Sequence, residues 1–165
     1  MIKNNFKAKS LARAGIIASI YIVLTLIFYP ISFGGMQVRV SEGLTLLPLI
    51  FPEAVFGLTI GCLIANLFGN GVLDIVFGTL ATFISAVLTM YVGKRIKNTA
   101  LKIFVSGLFP VIINAIVIPF TFLVAIESVG VYIISAVQIF VGQAISVYLF
   151  GSPIYLFLKN KKRPK

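Results

Sequence analysis

The chain has 165 residues, of which 59% are hydrophobic and 11% charged, whereas a typical soluble domain carries about 25% charged residues. In water such a composition would expose large apolar patches, so its natural solvent is lipid, and the length suffices for about six spans of ~20 residues in a single integral membrane domain over 1–165. The formal charge of +10 does not imply nucleic acid, because the cations are segregated and no basic face with aromatic platforms exists.

In chain order, the pattern predicts a first helix from Leu11 to Tyr29, stopped by Pro30, and an outer loop ISFGGMQ. The basic-then-apolar start is read as a retained span rather than a secretory signal, since the run from Ala14 to Tyr29 is long for a signal and no A-x-A-like site follows. A short second helix, Val40 to Ile50, is interrupted by Pro48, and Pro52 and Glu53 form an inner turn. The third helix covers Ala54 to Phe68, and Gly69-Asn70-Gly71 turns the chain. The fourth runs from Leu73 to Tyr91, the fifth from Leu101 to Ile126 with bends at Pro110 and Pro119, and the sixth from Val131 to Leu158. No repeat of 20–50 residues is evident, which gives no support to an inverted-repeat transporter.

The cations orient this arrangement. Lys3, Lys7, Lys9 and Arg13 form one group; Lys94, Arg95, Lys97 and Lys102 a second; Lys159, Lys161, Lys162, Arg163 and Lys165 a third. Lys/Arg groups beside apolar segments mark the cytoplasmic side and favour anionic headgroups. Room for four short spans between the first two groups, and two between the last two, predicts an all-α six-transmembrane-helix bundle with both termini cytoplasmic. Residues 1–10 and 159–165 are then basic tails.

Only Arg39 lies outside the basic groups, and Glu42 follows it by three residues. This topology places Arg39, Glu42, Asn66, Asp74 and Glu127 toward the outer half, leaving Glu53 as the one acid inside. Charges at membrane depth are costly, roughly 2.5–3.5 kcal/mol at the bilayer centre, so they mark a candidate site. Asn114 shares a helix-five face with Gly107, Thr121 and Ser128, and Gln138 shares a helix-six face with Ser135 and Gly142, while Gln143 is rotated by about 140° from Gln138. Together they suit a polar pocket for a small solute. Each also has a purely structural reading. Arg39 and Glu42 at i, i+3 pair with each other; Asp74 caps helix four; Asn114 and Gln138 bond between helices; Glu127 is a solvated helix end and Glu53 a helix N-terminal charge.

Small residues recur at helical spacing: Ala14 and Ala18; Gly57, Gly61 and Ala65; Gly78, Thr82, Ser85 and Thr89. The last two stripes read as packing within the bundle, whereas Ala14 and Ala18, at the cytoplasmic end, offer a docking face. Cys62, the single cysteine, reads as packing. There is no His, no metal-spaced cluster, no Ser–His or Cys–His arrangement and no phosphate cradle of the G-x-x-x-x-G-K-[ST] type. The reading is therefore a solute binder without catalytic residues, cofactor or metal, and any uphill transport draws its energy from another subunit.

Two stretches carry a resemblance: R-x-S-E-x-L-T-x-L-P, here Arg39, Ser41, Glu42, Leu44, Thr45, Leu47 and Pro48, and L-D-x-V-F-G, here Leu73, Asp74, Val76, Phe77 and Gly78. With these motifs the chain resembles the QueT family along nearly its whole length. The resemblance implies the substrate-binding component of an energy-coupling factor importer in a prokaryotic plasma membrane. Such a component captures a queuosine precursor near the outer face and assembles with a transmembrane coupling subunit and two ATPase subunits. It further implies that the Ala-x-x-x-Ala pair, Ala14 and Ala18, contacts the coupling subunit. A deazaguanine-type base would offer adjacent N–H donors to a carboxylate such as Glu42, Asp74 or Glu127, with Asn66, Asn114 and Gln138 reading other edges and Arg39 balancing the charge. A different vitamin or nucleobase-like solute, and a membrane scaffold without ligand, remain the alternatives.

Overall fold

The structure, a computed structural model, describes residues 2–69, 71–126 and 128–162, with side chains described over the same residues except 2–6, 121–126 and 162. Helix α1 (Ile2–Ile27) is followed by a single turn, α2 (Tyr29–Ser32), and by a 3-10 helix over Val40–Leu49. Helix α3 (Ala54–Asn66) precedes a π-helical turn, Asp74–Gly78, that opens into α4 (Thr79–Gly93). Then come α5 (Thr99–Ile126), α6 (Val129–Ala144), a second π-helical stretch, Ile145–Gly151, and α7 (Ser152–Lys162). Among the described residues there is no strand.

Among the described residues, four helical stretches are long and apolar enough to cross a membrane: Lys7–Ile27, Asp74–Gly93, Thr99–Phe120 and Val129–Lys161. Val40–Leu49 and Ala54–Asn66 are apolar but shorter. At a rise of about 2.0 Å per residue in a 3-10 helix and 1.5 Å in an α-helix, each extends only about 20 Å, short of a ~30 Å hydrocarbon core. The first helix begins earlier than its composition suggests, taking in most of the expected N-terminal tail, and the C-terminal basic residues through Lys162 continue α7. The expected single sixth helix is divided by the π-helical stretch.

The 3-10 segment is the centre of the fold: Ser41 through Pro48 are all buried. A period of three gives it three ridges rather than one amphipathic face. Leu44 and Leu47 join a core with Ile17 and Tyr21 of α1 and Val55, Leu58 and Cys62 of α3. Leu46 and Leu49 point into a second core with Val111 of α5, Val147 and Tyr155. On that side Gly43 meets the π-helical stretch backbone to backbone, its Cβ position lying 3.1 Å from both the Gly151 nitrogen and the Ser146 carbonyl oxygen.

Helix α5 keeps Pro110 and Pro119 in its interior. Pro110 has no N–H to give the carbonyl of Ser106 four residues earlier. That carbonyl instead accepts a hydrogen bond from Thr89 Oγ1 of α4 at 3.0 Å. The small-residue stripe of α4 is thus packing, as expected, with one member repairing the backbone of its neighbour.

The alanine pair of α1 packs against α3. Ala14 and Ala18 are buried, and their carbonyl oxygens lie 2.6 and 3.0 Å from the Cβ positions of Gly57 and Gly61 on α3. Their smallness is used for α1–α3 contact, and Ala14 also borders an apolar groove with Leu11 and Phe56. We expect Gly61→Ala to destabilise the detergent-solubilised protein by about 1–3 kcal/mol, the usual cost of overpacking, despite alanine's better helix propensity. A thermal unfolding scan that shows no loss would mean the two helices separate freely.

Candidate functional site

Arg39 sits just before the 3-10 helix, in extended backbone, and is 3% exposed. Each of its three guanidinium nitrogens donates once: Nε to the Ser32 carbonyl at 3.1 Å, one terminal nitrogen to Asn66 Oδ1 at 2.9 Å and the other to Asp74 Oδ2 at 3.1 Å. The guanidinium also lies over the Phe33 ring, 4.7 Å from its centroid. Arg39 therefore pairs with Asp74, not with Glu42, and Asp74 spends one oxygen on this ion pair instead of capping a helix. The π-helical turn explains the geometry: the wider turn at Asp74–Gly78 keeps Asp74 pointing inward, and π-turns are commonly found at functional sites.

Asn66 closes the cluster. Its Nδ2 donates to the Asp74 carbonyl at 3.1 Å and to Cys62 Sγ at 3.4 Å, while Thr82 Oγ1 lies 3.3 Å from the same sulfur. Gly78 makes room, since a Cβ there would lie 2.8 Å from Asn66 Nδ2. Cys62 is buried and unpaired with another cysteine, a packing role as expected. Glu42 begins within the same segment, its N–H donating to the Arg39 carbonyl at 2.9 Å. Its side chain then turns toward α1, where Oε1 accepts a hydrogen bond from the Tyr21 hydroxyl. Beside it, Thr25 Oγ1 and Ser41 Oγ lie 2.7 Å apart and Thr25 also donates to the Tyr21 carbonyl. One oxygen of each carboxylate, Glu42 Oε2 and Asp74 Oδ1, is buried without a hydrogen-bond partner among the described residues.

The structure thus brings Arg39, Asn66 and Asp74 together and places Glu42 on the adjoining turn. It does not bring Gln138 inward: this residue is exposed, with its Oε1 3.6 Å from the Cβ position of Gly35. Asn114 is buried. Ser128 lies not on α5 but just before α6, as its N-cap residue, and Glu127, like Asn70, falls outside the described residues. Glu53 stands at the start of α3, the opposite end from Asn66, and pairs with Arg13 at 3.1 Å. Tyr21, Gln37 and Gln143 were not legible as site residues, because an aromatic on an apolar helix and lone amides have no spacing that sets them apart. Both glutamines are buried.

The chain's sequence matches the family described as QueT transporter over residues 11–160. It belongs to the QueT transporter family. Its family is one of transporters, and its apolar helices fit a multi-pass cell membrane protein. Among curated proteins it is similar to "Queuosine precursor transporter QueT" of Lactococcus lactis subsp. cremoris (strain MG1363), 30% identical over 94 residues, which is 56% of this chain and 56% of that protein. The matched stretch thus spans about half the length of that relative. No solved structure matches the chain.

Proposed function

We propose that this chain is the solute-binding membrane subunit of an ATP-driven importer of the energy-coupling factor type, and that it captures a queuosine precursor, a deazaguanine-type base. Family membership and the name of the Lactococcus relative support the substrate class. The observation that carries the reading is that two carboxylate oxygens, Glu42 Oε2 and Asp74 Oδ1, are buried without a partner among the described residues, Asp74 being held by Arg39 through its other oxygen. A carboxylate oxygen enclosed without a donor is costly, and adjacent N–H groups of a base satisfy it through charge-assisted bonds. Arg39 acts as a positioning residue, holding Asp74, Asn66 and the Ser32 carbonyl, one from each guanidinium nitrogen.

In this reading the chain crosses the membrane six times, the two short helices packing with the four long ones, with both termini in the cytoplasm as one domain. Two ATPase subunits and a transmembrane coupling subunit supply the energy. The coupling subunit docks at the basic end of the bundle, where Leu11, Ala14, Phe56, Phe83, Val87 and Met90 border an apolar groove of about 680 Å³. Ala14 contributes only its edge there, since its carbonyl side is taken by Gly57.

Purified protein should bind a deazaguanine saturably, at one site and without ATP. The chain has no tryptophan, so calorimetry is the suitable readout. Heat of binding for an unrelated vitamin and none for any deazaguanine would overturn the substrate assignment.

A further inference from the structure

Nothing in the charge pattern singles out Gln37 or Gln143, yet the two side chains are 2% and 1% exposed. Gln37 Nε2, a donor, and Gln143 Oε1, an acceptor, have no hydrogen-bond partner among the described residues. Buried side-chain amides are normally satisfied, so two orphaned amide atoms in one neighbourhood call for a cause beyond packing.

Their backbones are neighbours. Gly142 lies so close to Met36 and Gln37 that a Cβ there would overlap the Met36 carbonyl oxygen and lie 3.3 Å from the Gln37 carbonyl carbon. Gln143 is the next residue. Gln37 holds a left-handed backbone at φ +44°, uncommon for a residue with a side chain. Its N–H donates to the Gly34 carbonyl at 3.0 Å and its own carbonyl accepts from the Arg39 N–H at 2.8 Å, which ties it to the charged cluster. From the other side, Gly43 seats the turn after Glu42 against Ser146, one helical turn beyond Gln143. The loop at Gln37 thus lies against α6 one residue before Gln143, and the 3-10 helix at Gly43, next to Glu42, packs on the same stretch three residues beyond it.

Resting on the solute-binding reading above, we propose that Gln37 and Gln143 determine specificity by reading the lactam edge of a bound purinone-type base. Gln37 Nε2 donates to the ring carbonyl. Gln143 Oε1 accepts from the adjacent ring N–H, and a carboxylate oxygen of Glu42 or Asp74 takes the exocyclic amine. The orphaned set offers three acceptors and one donor from these four side chains. A guanine-like edge, with its N–H and amine donors and single carbonyl, is complementary to it. An adenine-like edge is not, because it sets an amine against the Gln37 donor and a bare ring nitrogen against the Gln143 acceptor.

Calorimetry on the full-length purified protein with 7-deazaguanine and 7-deazaadenine tests this. The wild-type chain should prefer the first by about 100-fold or more, as expected of a site built to hydrogen-bond its substrate. Gln143→Leu and Gln37→Gly should each weaken 7-deazaguanine binding by about 10- to 100-fold and shrink the preference to about 10-fold or less. Glycine is chosen at 37 because it accepts the left-handed backbone, so that variant removes the amide without adding strain. Unchanged affinity and selectivity in both variants would overturn the proposal. So would an equal loss for both ligands, which would assign the amides to packing. A wild-type protein that binds neither base would instead overturn the substrate reading on which the proposal stands.

Discussion

Arg39→Met will lower the unfolding temperature of the detergent-solubilised protein sharply, whereas Arg39→Met combined with Asp74→Leu will recover much of the loss. The single change leaves the Asp74 carboxylate, 2% exposed, without its cation, and removing one partner of a buried ion pair costs about 3–5 kcal/mol. Desolvation, not lost attraction, dominates that figure, which is why deleting both charges is far milder. The Ser32 carbonyl and Asn66 Oδ1 also lose their donors in either variant, so full recovery is not expected. Thermal unfolding by calorimetry or by a dye-free scattering assay would show the difference. Equal destabilisation of the single and double variants would mean that Arg39 contributes mainly by filling space under Phe33. Neither variant should bind a deazaguanine, because both disturb Asp74.

Glu42→Gln is expected to do the opposite, sparing the fold and removing binding. The amide keeps an oxygen for the Tyr21 hydroxyl, so the bond to α1 survives. The other carboxylate oxygen becomes an NH2 group, placing a donor against the donors of the base. Truncating or inverting one partner of a buried charged hydrogen bond costs about 2–5 kcal/mol in binding, or about 30- to several-thousand-fold in Kd. Tyr21→Phe supplies the contrast: it leaves Glu42 Oε1 unpartnered and should cost stability, about 1–3 kcal/mol, while keeping the acceptor pair for the guest. Wild-type affinity in Glu42→Gln would remove this carboxylate from the site and leave Asp74 as the only described acid there.

Much of the site follows from where charge is tolerated. Arg39, Asn66 and Asp74 stand out in a chain that is otherwise apolar for long stretches, since a membrane protein keeps such groups only where they pair or work. What remained illegible was which of them meet. Spacing alone offered Glu42 as the partner of Arg39, three residues away on a presumed α-helix. The segment is a 3-10 helix entered from extended backbone, so the two side chains diverge, one to α3 and α4 and the other to α1. Helical rotation correctly separated Gln138 from Gln143 but carried no information on which face is inside, because both neighbourhoods are equally apolar in composition.

By itself the sequence determined the solvent, the helical class, the long spans and the few polar positions worth a function, because those depend on hydrophobic content and on the cost of charge in lipid. The tertiary structure alone decided that Val40–Leu49 is a buried central rod, that Ala14 and Ala18 pack on α3, and that Gln37 and Gln143 are both enclosed. These outcomes depend on backbone-to-backbone approach at Gly43, Gly57, Gly61, Gly142 and Gly151, contacts between residues distant in the chain. A glycine in the sequence records only that an approach is permitted; the partner is chosen by packing.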